Sequence, residues 1–283
     1  MSQQTIDKVW FVTGAARGIG ARVVEAALAA GDRVVASGRD LAQLQAAFGH
    51  VDGARIALLR LDVASADSAL AATTAALACF GRIDVLVNNA AYGLLGNFEE
   101  LSSAEIEQQF AVNVHGVMHM LRAVLPAMRA RRSGHVINIS SIAGVTGFDG
   151  AAVYCASKYA IEGLSASLAL ELAPFGIAVT VVEPGFFRTD FLDASSVRYG
   201  AASIDDYAAR GKVADAYGAY HGKQPGDPVK LGAAIVELAA MQPPPRQFLA
   251  GSDALAMAGA ALAARHAEMQ ASAALSASTD HRD

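Results

Sequence analysis

Cysteine is almost absent: Cys79 and Cys155 are the two in 283 residues, and neither sits in a CxxC or metal-ligand spacing. That excludes a disulfide framework and leaves no zinc signature or other metal site, so both thiols are expected to be small core residues. No apolar run approaches the ~20 residues that span a bilayer, and MSQQTIDKVW has neither the basic start nor the apolar centre of a signal peptide. A soluble cytoplasmic protein with no membrane partner is the expectation. Charge is sparse too, at 17% of residues with a net of -5, and the densest basic group is Arg129, Arg131 and Arg132. Nothing there suits nucleic acid, and arginines at a helix C-terminus are explained by the helix dipole. No linker, repeat or shift of composition divides the chain. With 53% hydrophobic residues, it suits one large domain over 1–283 with a sizeable core.

What the chain does have is alternation. KVWFVTG, RVVASG, RIALLRLDV, DVLVNNA, HVINISS, IAVTVVEPG and RQFLAG read as apolar strands, and helical patterns separate them. Asp40 opens the helix DLAQLQAAF, and longer helices are expected at about 102 to 131, 152 to 173 and 228 to 241. Strands apolar on both faces, each followed by a helix, indicate a parallel sheet covered on both sides. The predicted fold is α/β: a single-domain, doubly wound Rossmann sheet of about seven parallel strands. Residues 186–226 form the one long irregular stretch, the length of a substrate lid, with short helices expected inside it. Residues 276–283 are expected to be a frayed tail.

Two local patterns carry chemistry. Thr13, Gly14, Gly18 and Gly20 form a TGxxxGxG turn between the first strand and its helix. Glycines there let the backbone turn tightly and approach a pyrophosphate at the positive end of the helix. Tyr154 and Lys158 lie four apart in VYCASKYAIEGLSASLALEL, which reads as helix, so both project from one face. A phenol titrates near ~10, and an adjacent ammonium favours the phenolate, which would make Tyr154 a general acid/base. Ser141 follows the strand HVINIS, thirteen residues upstream of Tyr154, where its hydroxyl can meet a substrate oxygen from the other side. Alone, a tyrosine and a lysine at this spacing mark many solvated helix faces.

Taken together, TGAARGIG, NNA at 88–90, NVHG at 113–116, Ser141, the YxxxK pair and PG at 184–185 resemble the short-chain dehydrogenase/reductase family. The resemblance runs unbroken over about 8–190 and more loosely to about 251. It implies a nicotinamide dinucleotide held by Gly14, Ala16, Arg17, Gly18, Ile19 and Gly20 of the turn and by Ser37 and Arg39 after the second strand. Asp62 and Val63 after the third strand, Asn89 and Ala90 after the fourth, and Pro184, Gly185, Phe187 and Thr189 after the sixth complete the set. It also implies a catalytic group of Asn113, Ser141, Tyr154 and Lys158, in which Lys158 lowers the tyrosine pKa and bonds the nicotinamide ribose while Asn113 holds a relay water. His115 falls at a variable position and is read as structural. An acid after the second strand commonly bonds the adenosine ribose in NAD users, whereas a base there accommodates a 2'-phosphate. This chain places Gly38 and Arg39 there and Arg17 in the turn, so NADP(H) is the expected cofactor.

The implied activity is hydride exchange between the nicotinamide and a ketone or secondary alcohol, in a homodimer or homotetramer. Tyr199, Tyr207, Tyr217, Tyr220, Phe186, Phe187, Phe191 and Leu192 fall in the lid, and five basic residues there are matched by five acidic ones. With Tyr92, Leu94, Leu95, Phe98 and Phe148 as further apolar wall, the expected substrate is an uncharged, apolar alcohol or ketone. Two other readings compete: an epimerase-type relative, and a non-enzymatic NADP(H)-binding regulator. The first usually has a different glycine pattern and a larger C-terminal domain, and the second usually lacks one of the four catalytic side chains, all present here.

Overall fold

The computed structural model describes residues 7–193 and 196–281. Its chain runs β1 (Val9–Thr13), α1 (Gly18–Ala29), β2 (Arg33–Gly38), α2 (Leu41–Phe48), β3 (Ile56–Arg60), α3 (Ala66–Phe80), β4 (Val85–Asn88) and β5 (Gly93–Leu95). There follow α4 (Ser103–Phe110), a π-helical turn (Ala111–His115), α5 (Gly116–Arg131), β6 (Gly134–Ile139), α6 (Ala152–Leu172), β7 (Ile177–Pro184) and β8 (Val197–Tyr199). The last elements are α7 (Asp205–Ala208), α8 (Val213–Gly218), α9 (Pro228–Ala240), β9 (Gln247–Ala250) and α10 (Ser252–Ala277).

Seven strands form one parallel sheet in the order β3-β2-β1-β4-β6-β7-β9, so the order reverses between β1 and β4. Successive side chains on β1 face opposite ways, and both faces are covered. Trp10 and Val12 pack with Val23, Val24 and Ala27 of α1 and Leu231 and Ile235 of α9. Phe11 packs on the other side with Val117, Met120 and Val124 of α5 and Ile161 of α6. That two-faced burial is why the strands read as continuous apolar runs rather than alternating ones.

Helix ends follow local chemistry. Asp40 caps α2, accepting from the N–H groups of Ala42 and Gln43 at 2.9 and 3.3 Å. Gly81 closes α3 at φ +73°, a conformation that costs glycine nothing. The buried face of α3 is Ala69, Ala72, Thr73 and Ala76, and its last turn, which carries Cys79, adds no buried residue. Cys79 is therefore exposed, correcting its expected place in the core, while Cys155 is buried. The helix expected over 102–131 is continuous but widens into the π turn at Ala111–His115, where Asn113 is buried and His115 is exposed.

The stretch expected to form a lid holds the short helices α7 and α8, and also a feature its sequence does not announce. β8 pairs in parallel with β5, Gly93 opposite Val197 and Leu95 opposite Tyr199, as a separate two-stranded sheet. Ala194 and Ser195 of the lid lie outside the described residues, as do 1–6 and the last two of the expected tail. The rest of that tail is helical to Ala277 and turns through Asp280. Among the described residues no helix is long and apolar enough to cross a membrane.

Candidate active site

The C-terminal ends of β1, β4, β6 and β7 open into one cleft of about 920 Å³, at the point where the strand order reverses. Its floor at one end is the glycine-rich turn. Gly14 and Gly18 have φ of +64° and +57°, where a Cβ would be strained. A Cβ on Gly20 would meet Gly14 O at 2.4 Å and Asn89 Nδ2 at 2.5 Å, so the third glycine is what lets α1 sit on the turn. Asn89 fastens the same turn, donating to Thr13 O at 2.9 Å and Gly14 O at 3.0 Å, while Thr13 Oγ1 accepts from the N–H groups of Asn89 and Ala90 at 3.0 Å each. The first turn of α1 carries no acidic residue, and its Arg17 cap makes no side-chain bond to the helix N–H groups. Those N–H groups and the dipole behind them suit a pyrophosphate.

Arg17, Gly38, Arg39, Asp62 and Val63 wall the outer part of the cleft. Asp62 is exposed, and its carboxylate accepts from Ala64 N at 3.0 Å. Ser37 does not reach the cleft: it is fully buried and its hydroxyl donates to Val12 O at 2.9 Å, because its place in β2 points inward. That corrects Ser37 as a cofactor contact. Gly20 likewise acts by close packing rather than by lining the cleft.

At the inner end, Ser141, Tyr154 and Lys158 come together with Pro184, Gly185, Phe187 and Thr189. Ser141 follows the end of β6, its Oγ accepts from Ala143 N at 3.1 Å, and its hydroxyl lies beside that of Tyr154. Lys158 is buried one helical turn beyond Tyr154, with its Nζ 5.8 Å from the tyrosine ring centroid and donating to Ile139 O at 2.9 Å. The electrostatics differ from the sequence expectation. Burial pushes the Tyr154 hydroxyl above the ordinary phenol range, with the Ser141 hydroxyl pulling it back only in part. Burial also brings the Lys158 ammonium down to about 8, with Glu162 opposing the shift. Burial is therefore the largest influence on the Tyr154 hydroxyl, and it acts against the lowering expected from Lys158.

Asn113 stands behind the wall rather than on it. Both of its amide hydrogens are used, toward Tyr92 O at 3.0 Å and Ser157 Oγ at 3.2 Å, and its Oδ1 accepts from Tyr92 N at 3.1 Å. Gln109, one helical turn earlier and fully buried, does the same for this loop, accepting from Leu94 N at 2.6 Å and donating to Tyr92 O at 2.9 Å. The π turn presents Asn113 to the loop, and the sequence signal was its poor helix propensity.

Tyr92, Leu94, Leu95, Phe148, Phe186, Phe191, Leu192, Tyr199 and Tyr217 make an apolar wall opposite Tyr154. The Phe191 ring lies 5.4 Å from that of Tyr154. Phe98, Tyr207 and Tyr220 are not part of it: Phe98 is exposed, Tyr207 donates to Glu99 at the surface at 2.6 Å, and Tyr220 stacks on the outside of Phe186. Gln224 was not anticipated. It is buried at the root of the lid beside the cleft, and its side-chain amide has no hydrogen-bond partner. In sequence it sits within GKQPGDP, which reads as plain turn chemistry.

The model of the family described as short chain dehydrogenase matches residues 8–199. The chain belongs to the short-chain dehydrogenase family. It is 36% identical over 254 residues to the oxidoreductase BOA17 of Botryotinia fuckeliana, covering 90% of this chain and 92% of that protein. It is 39% identical over 191 residues to a 3-ketodihydrosphingosine reductase of Bacteroides thetaiotaomicron, covering 68% and 71%. Among solved structures, a short-chain dehydrogenase from Streptomyces avermitilis superposes with a TM-score of 0.88 at 38% identity, covering 98% of this chain and all of that one. A Burkholderia phymatum member solved with NAD (TM-score 0.81, 26% identical, covering 90% and 93%) and a metagenomic one solved with NADP (0.68, 31%, covering 86% and 96%) share the fold. This short-chain dehydrogenase is thus an oxidoreductase of a family whose members bind a nicotinamide dinucleotide, and the glycine turn and open α1 terminus fit that group.

Proposed function

We propose that the protein is an NADP(H)-dependent oxidoreductase that interconverts an uncharged, apolar ketone and its secondary alcohol. The observation that carries the reading is the meeting of Ser141, Tyr154 and Lys158 at the inner end of a cleft whose outer end is the glycine turn. Bound along that cleft, the dinucleotide supplies or accepts the hydride. Gly14, Ala16, Gly18 and Ile19 hold its pyrophosphate, Asp62, Val63, Asn89 and Ala90 its adenosine side, and Pro184, Gly185, Phe187 and Thr189 its nicotinamide. Arg17 and Arg39 flank the place for a 2'-phosphate, with Gly38 where an NAD user carries an acid.

Ser141 donates to the substrate oxygen, and Tyr154 gives its proton to that oxygen during reduction. Burial keeps the phenol protonated at neutral pH, the form that reduction consumes. In oxidation the same hydroxyl must first lose its proton, which the buried site resists. Lys158 bonds the ribose and keeps a positive charge beside the phenolate that forms. Asn113 fixes the loop that carries Tyr92 and holds the relay water through an acceptor that this loop leaves free.

The apolar wall and the balanced charge of the lid support the substrate class, and one relative is named as the reductase of a ketone, 3-ketodihydrosphingosine. Met118, Tyr159 and Leu170 leave apolar surface on α5 and α6, which supports pairing of two or more copies through those helices. Light scattering at micromolar concentration checks that assembly, and a monomer rejects it. For the activity, the test is oxidation of NADPH with an aryl or alicyclic ketone against a β-ketoacyl thioester. A higher kcat/KM for the ketone is expected; a clear preference for the thioester rejects the substrate class, and no turnover with any carbonyl rejects the reaction.

A further inference from the structure

Behind the catalytic residues lie two acids that the proposed reaction does not use. Glu162 sits one helical turn beyond Lys158 on α6, so the two side chains share a face. Glu183, the residue before the Pro184 end of β7, is 2% exposed. Their carboxyl groups face each other in the buried space between α6 and β7, and Glu162 Oε1 is buried with no hydrogen-bond donor. An ionised carboxylate only accepts hydrogen bonds, so two facing carboxyl groups bond each other only when one of them holds a proton.

Among the described residues the surroundings hold one countercharge, not two. The charged groups that face Glu162 are Lys158 from its own helix and Glu183 from β7, with the Ser140 hydroxyl beside it. Glu183 faces Glu162, and from β9 the Gln247 amide approaches Glu183 Oε1 at 3.4 Å. A Cβ on Gly144 would lie 2.7 Å from Ser140 Oγ and 2.9 Å from Glu162 Oε1, so glycine at this place in the turn after β6 leaves room for the Glu162 carboxyl. Two negative charges this close and this buried repel strongly, whereas one charge matches one ammonium. Burial pushes both carboxyls up, in keeping with that count.

We infer that Glu162 and Glu183 share a single proton at neutral pH and form a buried acid-carboxylate pair whose one negative charge holds Lys158 as an ammonium. Both are positioning residues: they act on the reaction through Lys158, and that consequence rests on the role proposed above for Lys158. The pair itself does not.

The test uses the purified full chain and needs neither cofactor nor substrate. With glutamate carboxyls isotope-labelled, the infrared spectrum at pH 7 is expected to show a protonated-carboxyl stretch that moves with the label. That stretch disappears in Glu162→Gln and in Glu183→Gln, because removing either acid lets the other ionise. Its absence from the wild type, or its persistence in either variant, overturns the shared proton. Side-chain NMR of Lys158 reads the coupling. A midpoint near 8 in the wild type is expected. It should fall by about one unit in Glu162→Gln, and hold or rise in Glu183→Gln, where Glu162 keeps its full charge. Equal shifts in the two variants, or none in Glu162→Gln, overturn the hold on Lys158. Should Glu162→Gln fail to fold, the wild-type spectrum and the near-isosteric Glu183→Gln still decide: an unchanged spectrum, or a fallen Lys158 midpoint, in Glu183→Gln rejects the inference. A protein that passes these tests and turns over no carbonyl separates failure of the proposed reaction from failure of the pair.

Discussion

The nucleotide-facing half of the cleft and the lid-facing half are built differently. The first is made of strand ends whose side chains are buried and mutually bonded: Thr13, Asn89 and three glycines fix one backbone path with hydrogen bonds of 2.9–3.0 Å. The second is made of side chains on loops and short elements such as α8 and β8, and the segment that carries them rests on the body through contacts such as Tyr217 to Asp149 O and Ile204 N to Glu100 Oε1. A path fixed by backbone tolerates little change and suits a constant ligand. A wall made of side chains can be changed residue by residue, and so can its substrate.

Tyr154→Phe separates the halves most sharply. Turnover should fall by about 10²- to 10⁴-fold, the usual size of acid/base assistance, with NADPH affinity by fluorescence titration nearly unchanged. A mutant retaining more than about a tenth of the wild-type rate would break the assignment. The same group sets a pH rule: a phenol raised by burial supplies protons at neutral pH, so alcohol oxidation should rise as pH rises through the alkaline range while ketone reduction does not.

Cofactor preference comes next. Gly38→Asp with Arg39→Ala should exchange the NADPH preference for NADH, by roughly tenfold or more, since a charge-assisted bond contributes about 1.5–3 kcal/mol. Equal affinities in the wild type would remove the basis for it. Gly20→Ala tests the rigidity of the turn. Alanine gains about 1 kcal/mol in helix propensity, but its Cβ would sit 2.4 Å from Gly14 O, and overpacking costs about 1–3 kcal/mol. A net loss of melting temperature is expected, and a gain would show that the turn yields. Phe191→Ala in the lid should do least: a KM for an apolar ketone raised about tenfold, equivalent to about 1.4 kcal/mol, with NADPH affinity and melting temperature nearly unchanged. Loss of cofactor binding in this variant would mean that the two halves are not separable.

Legibility followed the same division. The sheet, the caps at Asp40 and Gly81 and the glycine turn could be read because each is a local signal, in apolar run length, capping side chain or backbone freedom. Ser37 could not be placed, since period-2 alternation shows that it lies at a strand end but not which face its hydroxyl finds. Gln109 and Gln224 look like surface amides in the sequence, and only the fold brings their burial about. The sign of the Tyr154 shift was hidden for a related reason. Spacing reveals the neighbouring ammonium but not the depth of burial, and burial is the larger effect.

The pairing of β5 with β8 also bears on how such lids can be exchanged. Phe191 lies over Gly93, where a Cβ would meet its ring at 2.9 Å, and Gly200 N donates to Leu95 O at 3.0 Å. Residues 93–95 and the lid are thus one heritable unit in two pieces of chain. A chimera that takes the lid from a relative and leaves 93–95 behind would inherit a strand without its template, whereas recombination that moves both together carries the substrate wall intact.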